Sequence, residues 1–221
     1  MTGPAATLAP SLMDEVLPRY ETREVHDLSV AAPPAEVYRA LEGLTLGELH
    51  LFRALMGVRA LPSRLARSRR RPVTPSRPSI LDPEARLLDW GFRMGFAVLA
   101  SRPGSELVIG AAGQPWRPAG GVVATIRDRD DFVAFDRPGF AKVALGFRLE
   151  ELPGGGTRIV TETRVDTTDP LTHRRFGTYW KVIRVWSGAI RQSWLRAIRR
   201  RAERGTKRTG VGRTAPSPHR A

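Results

Sequence analysis

Residues 140–168 constrain the fold of this chain more than any other stretch. From Phe140 to Glu151 every second residue is apolar (Ala141, Val143, Leu145, Phe147, Leu149), and from Thr157 to Thr167 one parity carries Ile159, Thr161, Thr163 and Val165. A period of two is that of a strand, whose alternate side chains face opposite sides of a sheet. Pro153-Gly154-Gly155-Gly156 supplies the turn, so the two strands form a hairpin. On the second strand Arg158, Glu162 and Arg164 point the other way, as on a solvated face. The apolar face has to be covered, and the cover follows in sequence. Asp169-Pro170 opens a long helix striped by Phe176, Trp180, Ile183, Trp186 or Ser187, Ile190, Trp194 and Ile198.

The same two periods organise the rest. Ser11 caps a short helix that Pro18 ends. Arg23 to Ala32 reads as a strand, with Leu28 and Val30 on one parity, stopped by Ala32-Pro33-Pro34. Val37, Tyr38, Leu41 and Leu44 then follow at helical spacing, and Leu46, Leu49, Phe52, Leu55 and Met56 repeat the stripe as far as Ala60. Residues 61–79 hold four prolines and six arginines without an apolar period, the composition of a flexible surface loop. Asp82, Pro83 and Gly91 bracket a short helix containing Leu87, Leu88 and Trp90. From Phe92 the period returns to two, with Phe92, Met94, Phe96 and Val98 on one face, and residues 106–113 form the hairpin partner. A loop surrounds Trp116, and Val122–Arg127 makes a short strand. Residues 128–136 fit either a helical turn capped by Asp128 or a strand. This predicts an N-terminal extension with a short helix over 1–19, one domain over 20–204, and a disordered basic tail over 205–221.

The formal net charge of +14 is concentrated in two places. Residues 61–80 carry six arginines and no acid, and residues 196–221 carry nine basic residues against Glu203 alone. All but three of the 36 basic residues are arginine and the chain has no asparagine, a bias of GC-rich codon usage that weakens arginine content as a sign of function. Neither basic run is interleaved with aromatics, which removes the stacking half of single-strand nucleic-acid recognition. An anionic membrane surface is the partner that these runs fit best. With no cysteine, thiol catalysis and Cys-ligated metals are excluded, and a reducing, cytoplasmic location is the default expectation. The opening residues lack the basic region of a secretory signal. The longest weakly polar run, Phe92 to Ala100, falls well short of the ~20 residues that a membrane-spanning helix requires.

One strand, two small helices, a series of antiparallel strands and a long amphipathic helix are the order of a helix-grip domain. The stretches Val30-Ala31-Ala32-Pro33-Pro34-Ala35-Glu36-Val37-Tyr38-Arg39-Ala40-Leu41, Glu106-Leu107-Val108-Ile109-Gly110 leading to Trp116-Arg117-Pro118, and Thr161-Glu162-Thr163-Arg164-Val165 resemble the START-like superfamily over roughly residues 20–200. That superfamily includes Bet v 1 allergens, lipid-transfer START domains and the polyketide cyclase/dehydrase group. The resemblance implies an α+β helix-grip fold: a curved antiparallel sheet of six or seven strands around the C-terminal helix, with an apolar cavity between them. One such scaffold hosts binders, transporters and enzymes.

The candidate cavity residues follow from the same faces. The sheet offers Phe92, Met94, Phe96, Val143, Leu145, Phe147, Thr161 and Thr163; the helix offers Phe176, Tyr179, Trp180, Ile183 and Trp186; Trp116, Phe132 and Phe135 complete the set. Gln114, Arg117 and Arg184 are the polar candidates. No carboxylate falls clearly on an inner face, which favours binding over acid–base catalysis. His26, His50, His173 and His219 have no metal-ligand spacing, and no nucleophile elbow or phosphate loop is present. The expected activity is binding or transport of a small apolar or amphipathic molecule without a cofactor. A polyketide cyclase-like enzyme is the first alternative, and a binder of anionic surfaces the second.

Overall fold

A computed structural model of the chain describes residues 10–67, 82–117 and 121–211. In order it contains α1 (Leu12–Val16), β1 (Thr22–Val30), α2 (Pro34–Glu42), a 3-10 turn (Leu46–Glu48), α3 (His50–Arg67), α4 (Leu87–Arg93), β2 (Ala97–Arg102), β3 (Glu106–Gly113), α5 (Arg129–Ala134), β4 (Ala141–Glu151), β5 (Thr157–Thr167) and α6 (Pro170–Val211). The strands form one antiparallel sheet in the order β1-β5-β4-β3-β2. It curves around α6, giving an α+β helix-grip fold.

The described sheet has five strands where the sequence suggested six or seven. Two segments account for the difference. The alternation from Phe92 is pre-empted by α4, whose apolar residues carry the helix through Arg93, and Gly95 at φ +96 turns the chain before β2 begins at Ala97. Val122–Arg127 contributes only a bridge between Val123 and Gly113. Its ladder ends because the Arg127 N–H donates to the side chain of Asp131, and Asp128 caps α5 by accepting from Asp131 N. Residues 129–134 are thereby helix, which decides between the two readings of 128–136. The stretch read as a loop from 61 is helical as far as Arg67, and the tail read as disordered from 205 is helical as far as Val211. Residues 68–79 and 212–221 lie outside the described residues.

Both sheet faces are covered. On the inner face Leu107, Ile109, Leu145, Phe147 and Ile159 pack with Val37 and Leu41 of α2 and with Leu195 and Ile198 of α6. On the outer face Val108, Ala112 and Ala144 pack against Met13 and Val16 of α1 and Phe132 of α5. Gly146 makes room for α1, since a Cβ there would lie 2.7 Å from Met13 Cγ. Arg164, read from the sequence as solvated, is buried beneath α1. Its Nη1 donates to the carbonyls of Met13 (3.1 Å) and Leu17 (3.0 Å), and its Nη2 to Asp14 (2.6 Å). It gives the Leu17 carbonyl at the end of α1 its partner and adds a second donor to that of Met13, which already accepts from Leu17 N.

α6 is anchored at two separate places. Phe176 packs against Ala141 and Val165, and Trp194, Leu195, Ala197, Ile198 and Ala202 enter the main core. Between Phe176 and Trp194 no residue of the helix is buried. Asp169 fixes its start: Thr172 N donates to Oδ1 at 2.8 Å, and the Thr172 hydroxyl and Gly139 N each donate to Oδ2 at 2.6 Å. These bonds, the Thr172 hydroxyl foremost, hold the Asp169 carboxyl down to about 2 from 3.8. A carboxyl depressed by folding stabilises the fold above its unfolded pKa and loses that contribution as pH falls through the folded one. Asp169→Ala is therefore expected to lower Tm at neutral pH, with the gap to the parent protein shrinking between pH 3.8 and about 2. Thermal denaturation across that range checks it, and a gap independent of pH contradicts the assignment.

Candidate functional site

A helix that buries side chains only towards its two ends, while its middle runs past β1 at Gly188 and Gln192, leaves a space beside that middle, and here the space is an apolar cavity of about 670 Å³. Its floor is Ile109 of β3, Val143, Leu145 and Phe147 of β4, and Thr163 and Val165 of β5. α6 roofs it with Phe176, Tyr179, Trp180, Ile183, Trp186, Ile190, Arg191 and Trp194. A side wall comes from Phe52, Leu55 and Met56 of α3, Leu87, Leu88 and Trp90 of α4, and Phe96. The wall is tied to the roof by aromatic edges: Phe52 meets Trp90 at 5.2 Å and Trp194 at 5.5 Å between ring centroids. Val58 and Trp186 are the open side, 64% and 53% exposed. The volume falls within the range of small-molecule pockets.

Of the residues singled out from sequence, Phe96, Val143, Leu145, Phe147, Thr163, Phe176, Tyr179, Trp180, Ile183 and Trp186 line this cavity. The others do not. Phe132 and Phe135 belong to the outer-face cluster, because α5 packs on the opposite side of the sheet. Phe92 sits in α4 and Met94 in the turn that follows, so neither has the strand alternation that would aim it inward. Trp116 packs with the cluster of Val165 and Phe176 without itself entering the lining, while its neighbour Pro115 does enter it. Thr161 is buried on the inner face away from the cavity, its Oγ1 without a hydrogen-bond partner. Gln114 braces its own loop by donating to the Gly139 carbonyl at 2.8 Å. Arg117 and Arg184 are exposed.

The sequence reading missed a polar group beside the cavity. Register pairs Glu24 with Thr163 and His26 with Thr161, which puts both on the inner face with Leu28, so a carboxylate does lie there. The signal was present: 24, 26, 28 and 30 share one parity. His26 Nε2 is 3.1 Å from Glu24 Oε1, and Gln192 Nε2 of α6 is 3.4 Å from His26 Nδ1. α6 passes this close because residue 188 is glycine; a Cβ there would stand 3.0 Å from Glu24 Oε1. Arg191 is on the cavity wall itself, its guanidinium carbon 4.2 Å from the centroid of the Trp194 ring. Its position three residues before Trp194 marks it as part of the apolar stripe. Burial pushes its pKa down to about 10, against the field of Glu24, which raises it. It stays charged at neutral pH.

No family model matches the chain, and a comparison with the curated proteins finds no match. Solved structures do match. A hypothetical protein from Helicobacter pylori is 10% identical, with a TM-score of 0.35 over 90% of this chain and 96% of that one. A Thermus thermophilus protein is 14% identical, with a TM-score of 0.25 over 82% and 97%. Ara h 8.0201 is 13% identical, with a TM-score of 0.26 over 82% and 97%.

A cation whose charged form is disfavoured by burial opposes folding at neutral pH. Replacing Arg191 with methionine, which keeps the length and the apolar contact, is expected to stabilise the ligand-free protein by about 1–3 kcal/mol. Equilibrium denaturation with urea measures this. A destabilised variant would mean that the stacking of Arg191 on Trp194 outweighs the loss of its hydration.

Proposed function

We propose that this chain is a START-like helix-grip protein that binds, and hands on, a small apolar or amphipathic molecule held between the sheet and α6. The observation that carries the reading is the two-ended anchorage of α6 over an apolar cavity of about 670 Å³. A helix needed only to close a core would bury its stripe throughout, whereas here Trp180, Ile183 and Ile190 face the open volume. The sequence resemblance to the START-like superfamily agrees with this. An enzyme of the cyclase kind needs an acid or base within hydrogen-bond reach of the ligand. Glu24 and His26 lie behind the wall, not on it, and Arg191 is a permanent cation. This favours binding.

The open side also suggests where the ligand is exchanged. α6 exposes Val182, Val185 and Trp186 beside exposed Lys181 and Arg184, and no acid occurs between Asp169 and Glu203. An apolar strip flanked by basic residues fits an anionic membrane surface.

Two outcomes follow. Trp90, Trp180, Trp186 and Trp194 all line the cavity, so fatty acids, isoprenoids or polyketide-like aromatics that enter it will change tryptophan emission. Ile183→Asp is expected to abolish that response with circular dichroism unchanged, because an unpaired charge in an apolar cavity costs several kcal/mol. If no guest co-purifies in native mass spectrometry and none perturbs the tryptophans up to about a millimolar, about −4 kcal/mol of binding, the reading fails. Separately, the protein is expected to bind phosphatidylserine vesicles, to release them steeply with added salt, and to bind them more weakly as Val185→Asp. Salt-independent binding, or none at low salt, defeats the membrane part alone.

A further inference from the structure

Two buried cations show what a satisfied one looks like in this molecule. Arg164 donates to two carbonyls, to Asp14 and to Glu162 at 2.6–3.1 Å. Lys142 donates to the Val133 carbonyl at 3.0 Å and lies over the Phe132 ring. Arg191 is different. Its Nε and Nη1 are shut off from solvent without a hydrogen-bond partner, and its Nη2, which makes no hydrogen bond either, is the nitrogen left within reach of a guest in the cavity. It is the one charged residue among the described residues on the cavity wall. Its nearest source of negative field is Glu24, which is off that wall and accepts no hydrogen bond from it.

Buried donors of a charged group are normally paired, since leaving them idle forfeits the hydration of the charge. An unpaired guanidinium stacked on an aromatic face at the edge of an apolar volume therefore has the chemistry of a receptor for an anion. We infer that the cavity takes an amphipathic carboxylate, its anionic head seated against Arg191 and its apolar body lying between Leu145, Ile183 and Trp90. The inference rests on the ligand-binding reading above and adds the class of ligand. The remaining polar groups of the wall, such as Thr163 and Ser187, are neutral, so nothing else there selects for charge.

The test compares probes of one chain length on the full-length protein: decanoate, 1-decanol and decylammonium at neutral pH, followed by tryptophan emission and calorimetry. Decanoate is expected to bind at least tenfold more tightly than decanol, about 1.4 kcal/mol, and decylammonium more weakly than either. In Arg191→Met the preference for decanoate over decanol is expected to fall below about threefold, and in Arg191→Lys to be partly kept. If decanoate and decanol bind the parent protein equally, or if Arg191→Met keeps the preference, the inference is overturned while the cavity reading stands. If none of the three probes binds, both fall. Should Arg191→Met fail to fold, the ordering of the three probes on the parent protein decides alone.

Discussion

Everything distinctive in this molecule depends on how one helix is held. The C-terminal half of α6 is a core element, with Leu195 and Ile198 fully buried against α2 and the sheet. Near its N-terminal end a single aromatic, Phe176, stacks on Trp180 at 5.7 Å and pins that end to Ala141 and Val165. A rigid rod fixed at both places cannot sag into the gap, because bending it would break backbone hydrogen bonds that no water replaces inside. The gap is therefore a property of the fold rather than a packing defect. Its size is set by the span between the anchors and by the thickness of the wall that α3 and α4 add.

That wall explains why the site was only partly legible in the sequence. Period-two and helical stripes identified Leu145, Phe147, Trp180 and Ile183 as inward-facing, because a hairpin and the helix that covers it are local, strongly patterned elements. The same stripes marked Phe52, Leu55 and Met56 as apolar, but a stripe does not say whether its residues face a solid core or a void. That depends on how α3 and α4 are tilted against the sheet. Here the chain makes its own join: Leu46 N and Gly47 N donate to the carbonyls of Ala85 and Pro83, and Leu87 N to that of Leu44. Such backbone pairing between segments some forty residues apart leaves no trace in composition or period.

Two misreadings have one cause. Phe132 lies off the cavity and Arg164 off the solvent for the same reason, that the outer side of the sheet does not meet water. β3 carries the sign of it, since Leu107 to Ala112 are all buried, the continuous pattern of a strand covered on both sides. Once α1 and α5 occupy the outer face, Phe132 belongs to it, and Arg164 becomes the group that caps α1. The error was about the neighbours of a residue and not about its parity.

The identity of residue 191 is the last consequence of the architecture. A cation on the wall of an apolar cavity is tolerated only if it keeps its proton and its flat face can be used. Arginine meets both conditions: even with burial pushing it down to about 10 it is fully charged at neutral pH, and its plane lies against Trp194. Lysine starts lower and carries a compact, strongly hydrated charge, so the same burial would bring it close to losing its proton and would give Trp194 nothing planar to stack on. The chain has arginine in abundance, but its other buried guanidinium described above, Arg164, is absorbed by carbonyls and carboxylates. Arg191 keeps an unpaired charge beside an open volume, which is the arrangement that the proposed carboxylate would complete.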